Sequence, residues 1–273
     1  MKKSAIVCLT VLFGLLVVLT VFFPIYMIVS NSFKPTLLIR KMPPQFFFPL
    51  TLQHYVKILK QGNFLSYFGN SFIIAMSTTV ISIVLGSLAA YGLAIMKSNW
   101  GNRISTFLLF SKLVPTITIM IPLYIILDKV HLLGTYVGPI LAHVSVNAPF
   151  VAWLVLGFIR DIPGDLFEAG KLDGCTRMQV FWKIVFPLLS PAIGSALLLV
   201  MQYSWNELLF SMQYTNLHTY TLTVGVSRFV GAISVDWGQS SAAATIVMVP
   251  IIIAGFFLQK YLVSGLTAGA VKG

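Results

Sequence analysis

Long apolar runs alternate with short polar connections along this chain, and this pattern predicts its secondary structure. A helix rises about 1.5 Å per residue and the hydrocarbon core of a bilayer is about 30 Å thick, so a span needs roughly 20 apolar residues. Six stretches meet that length, and we expect membrane-spanning helices at residues 5–29, 71–96, 104–127, 136–158, 187–213 and 240–259. The pattern predicts an all-α membrane fold in which a single domain occupies residues 1–273.

The composition agrees with a membrane protein, since 58% of the residues are hydrophobic and only 9% are charged. The net charge of +11 is scattered in ones and twos between the apolar runs. It therefore predicts contact with lipid headgroups and no nucleic-acid binding. Cys8 lies in an apolar run and Cys175 in a polar connection, so both are expected to be free thiols. The histidines lack ligand spacing, which predicts no metal site, and His143 is expected to be a hydrogen-bonded packing residue.

The connection between the fourth and fifth predicted spans, residues 160–186, carries four of the chain's seven acids. Pro163 suits the first turn of a helix, and Glu168 lies near the positively polarised N-terminal end of that helix. Asp173 and Gly174 predict where the helix ends, because Gly accepts the left-handed conformation found after helix C-termini. This part of the connection is therefore expected to be a short helix on the cytoplasmic side.

A second short helix is expected to follow at once. Thr176 and Gln179 have the spacing of a capping box, so the helix should begin there and continue to Pro187. In the first helix, Ala169 and Gly170 are nearly free of side chain and would let another surface approach closely. The connection is thus predicted to be two short helices that meet at an elbow.

The order of residues in this connection resembles the EAA loop of ABC importer permeases: Glu168-Ala169-Gly170, then Asp173-Gly174, then Ile184 and Pro187. Gly170 stands where that family has a second Ala. Three further strings resemble the carbohydrate, maltose-type branch of the family: Ser32-Phe33-Lys34-Pro35, Trp205-Asn206-Glu207, and the ending Gly265-Leu266-Thr267-Ala268-Gly269-Ala270-Val271-Lys272-Gly273. The joint match is more specific than any one of these strings.

The resemblance implies a type I importer permease that pairs with a second homologous permease as a heterodimer. It implies that two cytoplasmic ATPase subunits bind ATP and Mg²⁺, with no cofactor in this chain. An extracytoplasmic binding protein would deliver the carbohydrate and would meet residues 214–239. The coupling contact with the ATPase would be made by Glu168, Ala169, Gly170, Asp173 and Gly174. The tail would reach into the ATPase dimer interface through Gly269, Ala270, Val271, Lys272 and Gly273.

The chain itself is not expected to bind ATP or to be an enzyme. Between Gly164 and Gly170-Lys171 there are five residues where a P-loop has four, and Leu172 stands where that loop needs a hydroxyl. A membrane-embedded enzyme would need a His/Asp/Glu or Ser/His constellation within the spans, and the sequence indicates none.

Neutral amides and aromatic rings suit a sugar path, because sugars offer hydroxyl groups and apolar faces. The candidates in the spans are Asn147, Gln202, Tyr203, Trp205 and Asn206, and the alternative is that each satisfies a neighbouring helix within the bundle. Lys112 lies about 12 Å into the third span and Glu207 late in the fifth, so a direct pair between them is not expected. Whether these two ionisable residues serve substrate, proton transfer or packing is left open.

The charge of the connections favours cytoplasmic N- and C-termini, with ten Lys and Arg inside against seven outside. The resemblance places such a subunit in a bacterial or archaeal cell membrane. Other substrates that remain open are a polyol, a glycerol phosphate or an oligosaccharide. An alternative from another class is an ion-coupled secondary transporter, which should show internal repeats and paired ionisable residues at the midplane.

Overall fold

The computed structural model describes residues 2–60, 63–96, 100–229 and 235–268, with side chains over 7–60, 63–96, 100–229 and 235–261. Helices dominate this part of the chain. The helices are α1 Lys2–Ser32, α2 Thr36–Ile39, α3 Gln53–Lys60, α4 Phe64–Ala94, α5 Trp100–Ser111, α6 Thr116–Lys129, α7 Val137–Arg160, α8 Gly164–Leu172, α9 Arg177–Val180, α10 Phe186–Leu188, α11 Ser190–Asn206, α12 Leu209–Tyr214, α13 Leu222–Ser227 and α14 Trp237–Ala268. A five-residue π-helical segment, Phe181–Val185, joins α9 to α10.

Four stretches of the described chain are long and apolar enough to cross a membrane by themselves: Val7–Ser32, Phe64–Ala94, Val137–Arg160 and Trp237–Tyr261. Two helix pairs qualify only when each is taken as one bent span. Trp100–Ser111 and Thr116–Lys129 meet at 94°, and Arg177–Leu188 and Ser190–Asn206 meet at 78°. Counting each bent pair as one span gives six spans, the number predicted, although the second pair begins at Arg177 and not at residue 187. The chain is a multi-pass membrane protein.

The prediction of one continuous helix over 104–127 is wrong. α5 ends at Ser111 and α6 begins at Thr116, with Pro115 at the N-cap (φ −58°, ψ 134°). Proline has no N–H to continue the α5 ladder and disfavours a helical conformation in the residue before it. The third span is therefore broken, and the break contains Lys112.

The prediction of one helix over 187–213 is also wrong. The chain bends at Leu189, which caps α11, and α11 ends at Asn206 because Glu207 is extended (φ −69°, ψ 129°). The chain then forms the separate helix α12. The second break places the Glu207 side chain beside the N–H groups that open the next helix.

The chain divides into two compact units, of which the first comprises Met1–Leu65 and Gly225–Pro250. Within it, the His54 ring nitrogen lies 2.9 Å from the Lys34 carbonyl. Burial lowers the pKa of the Lys34 ammonium, which lies 4.6 Å from the centre of the Phe48 ring. Lys57 forms an ion pair of 3.6 Å with Asp236. These contacts order the segment that follows α1.

The second unit comprises Ser66–Val224 and Ile251–Gly273. Its core is formed by α4, α7 and α11 together with the π-helical segment. A Cβ at Gly86 of α4 would lie 2.6 Å from the Val151 Cβ of α7, so these two helices cross closely. At one end of this unit, Asn70 donates to the carbonyls of His218 and Tyr220 and accepts from the Tyr136 hydroxyl.

Candidate coupling loop and intramembrane polar cluster

The coupling loop, residues 160–186, contains the elbow predicted from sequence. In the last turn of its first helix, α8, the Cys175 N–H donates to the Gly170 carbonyl and the Gly174 N–H to the Lys171 carbonyl, both at 3.0 Å. This pair of bonds is the Schellman pattern of helix ends. Gly174 has φ +78°, a left-handed conformation that costs a side-chain-bearing residue more than glycine. The predicted end of the helix is confirmed.

The second helix begins with the predicted capping box. The Gln179 N–H donates to the Thr176 hydroxyl at 3.3 Å, and the Thr176 N–H donates to the Gln179 side-chain oxygen at 2.8 Å. Helical structure then continues to Leu188, beyond the predicted end at Pro187, and includes the π-helical segment. The two helices of the elbow are thus set by signals close together in the sequence.

Gly170 holds the two arms of the elbow together. It is buried, and a Cβ there would lie 2.8 Å from Ile184 Cδ1 and 3.1 Å from Val180 Cγ2. The absence of a side chain therefore serves a contact within the loop. Glu168 and Ala169, by contrast, are exposed and available to a partner.

Tyr91 of α4 fastens the loop to the second unit. Its hydroxyl donates to the Arg177 carbonyl at 3.0 Å, and its ring lies 5.2 Å from that of Phe181 and 6.4 Å from that of Phe167. A cavity of about 430 Å³ lies beside these contacts, with Arg160 and Lys171 among its lining residues. Displacement of α8 would therefore be transmitted to the end of α4.

Glu207 is the centre of a buried polar cluster in the second unit, which we define as Lys112, His143, Asn147, Ser204 and Glu207. Its carboxylate accepts from the Phe210 N–H at 2.9 Å and from the Ser211 N–H at 3.0 Å, which belong to the second and third residues of α12. It also lies 3.1 Å from the His143 ring nitrogen. The carboxylate thus caps α12 and ties it to α7.

His143 links the remaining members of the cluster. Its other ring nitrogen lies 2.7 Å from the Ser204 hydroxyl, and its carbonyl accepts from Asn147 Nδ2 at 2.7 Å. Asn147 Oδ1 in turn accepts from the Lys112 ammonium at 3.3 Å. The cluster therefore forms a hydrogen-bonded chain from the break in the third span to the break in the fifth.

The expectation that the spans hold no Ser/His or His/Glu constellation is wrong, because Ser204, His143 and Glu207 meet in the bundle. His143 is a hydrogen-bonded packing residue, as predicted. Helical spacing along α7 carries no sign of its partners, which lie 61 and 64 residues further along the chain. Within the described residues, no group of three or more possible metal ligands is found.

The candidate substrate residues occupy different positions. Gln202, Tyr203 and Asn206 line an open cavity of about 380 Å³. Asn147 is buried in the polar cluster. Trp205 is 1% exposed and packs edge-on against Phe68 at 5.5 Å between ring centroids, so it faces the core. The structure thus separates the five candidates into cavity-lining, cluster and core residues.

The sequence of this chain matches the model of a known protein family. The family model described as binding-protein-dependent transport system inner membrane component matches residues 82–268. The chain belongs to this family. It is a non-catalytic membrane subunit of a binding-protein-dependent importer, and the ion-coupled alternative has no support from this membership.

The permease also has similar relatives along most of its length. It is 34% identical over 227 residues to the trehalose/maltose transport system permease protein MalG of Thermococcus litoralis, with 82% of each chain covered. It is 34% identical over 255 residues to the trehalose transport system permease protein SugB of Mycobacterium tuberculosis, with 92% of each chain covered. The resemblance to sugar-type permeases is confirmed at the level of the family.

Solved structures show the same fold. A bacterial ABC transporter involved in the import of the acidic polysaccharide alginate superposes with a TM-score of 0.81 at 20% identity, over 95% of this permease and 96% of that chain. The match supports the type I importer permease fold. The predicted tail, Gly269–Gly273, lies outside the described residues.

Proposed function

We propose that this permease carries a sugar or oligosaccharide across a bacterial or archaeal cell membrane, in an importer driven by ATP hydrolysis on partner subunits. The proposed coupling to the ATPase rests on one observation, the elbow. Its first helix exposes Glu168 and Ala169 and is attached to the spans through the contacts of Tyr91. The carbohydrate part rests on the named substrates of the relatives, which include trehalose and maltose. ATP and Mg²⁺ would be bound by the partner ATPase, with no cofactor in this chain.

The assembly that fits this role has two homologous permeases, two ATPase subunits and an extracytoplasmic binding protein. Glu168, Ala169, Asp173 and Gly174 are all exposed on the loop and would meet the ATPase. Gly170 would act behind that surface by holding α8 against the second arm. The tail Gly269–Gly273 would enter the ATPase dimer interface, and residues 214–239 would meet the binding protein.

The proposed orientation is supported by the number of spans and by the loop charges. An even number of spans puts both termini on one side, and the excess of Lys and Arg in the connections favours the cytoplasm for that side. The coupling loop then faces the ATPase. Alternating access would follow from rigid-body motion of the spans, with α8 as the point where force enters.

The substrate path is proposed to run along the cavity lined by Gln202, Tyr203 and Asn206. Amide groups can donate to and accept from sugar hydroxyls, and a tyrosine ring offers a face for stacking. Asn147 would contribute indirectly, through its hydrogen bond with the Lys112 ammonium. Trp205 would support the path by packing against Phe68.

Co-purification of the tagged permease with its ATPase tests the coupling surface. The experiment compares wild type with Glu168→Lys on α8 and with Asp128→Lys, an exposed acid at the end of α6 that undergoes the same charge change. We expect wild type and Asp128→Lys to bring down an ATPase with hydrolytic activity, and Glu168→Lys to lose it. Equal recovery of ATPase in all three would contradict the proposed coupling surface.

A further inference from the structure

Among the described residues, the groups that contact the Lys112 ammonium are uncharged. It lies 3.3 Å from Asn147 Oδ1 and 4.9 Å from the ring centroids of both Phe150 and Tyr203. A cation within a span is costly unless it is paired or serves a function. One amide oxygen and two ring faces compensate such a charge only partly.

The chain's own carboxylates do not neutralise this cation. All seven lie in the described part of the chain, and the two ion pairs found there are Lys57 with Asp236 and His143 with Glu207. Glu207 is the acid in the polar cluster, and its oxygens already accept from backbone N–H groups, a hydroxyl and His143. A negative charge that neutralises Lys112 would therefore have to come from a group outside the chain.

The surroundings of Lys112 are held in place. Asn147 Nδ2 donates to the His143 carbonyl at 2.7 Å, and this bond turns Oδ1 toward the ammonium. His143 is itself fixed between Ser204 and Glu207. The cation and its amide acceptor are thus preorganised by the polar cluster.

The neighbouring helix end adds positive potential. α6 begins at Thr116, runs for 14 residues and has no acid in its first turn, so the partial positive charge of its N-terminus is not offset locally. Broken spans whose half-helix N-termini face an anionic substrate are a recurrent arrangement in transporters.

Tyr203 connects this positive region to the proposed path. One face of its ring meets the Lys112 ammonium, and the same residue lines the cavity of about 380 Å³ with Gln202, Asn206 and Glu207. The Glu207 oxygens at this cavity are already hydrogen-bonded to His143 and to two backbone N–H groups. A substrate in that cavity is therefore separated from the cation by one aromatic side chain. Direct contact requires Tyr203, which packs edge-on against His143, to move when the spans rearrange during transport.

We propose that Lys112 is a specificity-determining residue that selects a carbohydrate bearing an anionic group, either a carboxylate, a sulfonate or a phosphate. The proposal rests on the carbohydrate function proposed above. A neutral sugar needs only the amides of the path, whereas an anionic one forms a charge-assisted hydrogen bond with the ammonium. The substrate then compensates a charge that the fold leaves without a carboxylate.

Uptake by the assembled importer in proteoliposomes tests this proposal. The probes are three pairs that differ in charge: trigalacturonate and its methyl ester, trehalose 6-phosphate and trehalose, and sulfoquinovosyl glycerol and glucosyl glycerol. In at least one pair we expect wild type to take up the anionic member about tenfold faster, the factor typical of one charge-assisted hydrogen bond. Lys112→Gln should reduce that ratio about tenfold, and Lys112→Arg should largely restore it.

Lys129→Gln, the same change at the exposed end of α6, controls for loss of a positive charge elsewhere and should keep the wild-type ratio. Faster uptake of the neutral member in every transported pair, or an unchanged ratio in Lys112→Gln, would overturn the role of Lys112 and leave the carbohydrate function standing. If none of the six probes loads the binding protein, stimulates ATP hydrolysis or enters the proteoliposomes, the carbohydrate function itself is contradicted. These outcomes separate the two proposals.

Discussion

The coupling loop and the polar cluster are built from contacts of very different range. In the loop, the decisive hydrogen bonds join residues that are three to five positions apart, such as Thr176 with Gln179 and Gly170 with Cys175. In the polar cluster, the hydrogen bonds that connect different spans join residues 35 to 64 positions apart, such as Lys112 with Asn147 and His143 with Glu207. The loop is thus specified locally, whereas the cluster exists only after the spans have packed.

The largest expected effect is that of removing the centre of the polar cluster. Glu207→Ala would leave two N–H groups of α12 and the His143 ring without their acceptor, and breaking such a buried pair costs about 3–5 kcal/mol. We expect a lower unfolding midpoint, measured by thermal denaturation in detergent. Glu207→Gln keeps one acceptor oxygen and should lose less. A midpoint equal to wild type in Glu207→Ala would show that the cluster does not stabilise the bundle.

A smaller, local effect is expected at the inner side of the elbow. Gly170→Val would push side-chain atoms against Ile184 and Val180, and overpacking of this kind costs about 1–3 kcal/mol. Trypsin should then cleave the loop faster at Lys171 or Arg177, as followed by mass spectrometry. Gly164→Ala, where nothing lies within 4 Å of the new Cβ, is the control and should be cleaved as wild type. An unchanged rate in Gly170→Val would contradict the packing role.

The backbone conformation at the elbow can be tested separately from packing. A Cβ at Gly174 meets nothing within 4 Å, so Gly174→Ala acts only through the left-handed φ of +78°, at a cost of about 1–2 kcal/mol. Gly174→Asn should be milder, because Asn tolerates that conformation better. The measurement is the same tryptic cleavage rate, in the order Ala, Asn, Gly. Equal cleavage rates for Gly174→Ala and Gly174→Asn would indicate that the left-handed conformation of residue 174 does not determine where α8 ends.

The smallest effect is expected from replacing Asp236, an acid outside the membrane-spanning segments, whereas Glu207 is buried within them. Burial raises the pKa of Asp236, but hydrogen bonds from Gln239 and the nearby Lys57 and His54 outweigh it and lower the pKa overall. A lowered pKa means that Asp236 stabilises the fold above its unfolded-state pKa, and that this contribution is lost as pH falls through its folded-state value. Asp236→Ala should cost about 1 kcal/mol at pH 7, as for loss of a helix cap.

Asp236→Asn separates charge from capping at the same position. Its amide oxygen can still accept from the Gln239 N–H, so most of the stability at pH 7 should remain while the acid-dependent loss disappears. The measurement is the unfolding midpoint at pH 7 and at acidic pH for the three proteins. If the wild type and Asp236→Asn lose stability equally on acidification, the pKa of Asp236 does not link pH to folding.

The elbow could be predicted in detail because its signals act over a few residues. The capping box acts through short-range hydrogen bonds, and the left-handed glycine acts through backbone sterics. The spacing of these residues in the sequence is therefore sufficient to predict where the two helices end and begin. The residues that pack against Gly170 could not be predicted in this way. The small size of Gly170 predicted that another surface approaches it closely, but that surface consists of Val180 and Ile184 of the same loop, as only the packed structure shows.

The continuous third and fifth spans were mispredicted because hydropathy reports length and polarity, and neither depends on whether the backbone is straight. Pro115 was present as a signal for the break beside Lys112, since proline removes an N–H and restricts its predecessor. The break before α12 had no comparable signal. It is stabilised by the Glu207 carboxylate, which replaces the missing helical hydrogen-bond acceptors.

The sequence by itself determined the membrane class, the number of apolar segments, the two-helix elbow and the family, because these depend on composition and on residues near one another in the chain. Tertiary structure decided the broken spans, the inward role of Gly170 and the meeting of Lys112, Asn147, His143, Ser204 and Glu207. The physical reason is that a buried polar side chain must be hydrogen-bonded by whatever the neighbouring helices present. Those partners are selected by helix packing, which brings together residues far apart in the sequence.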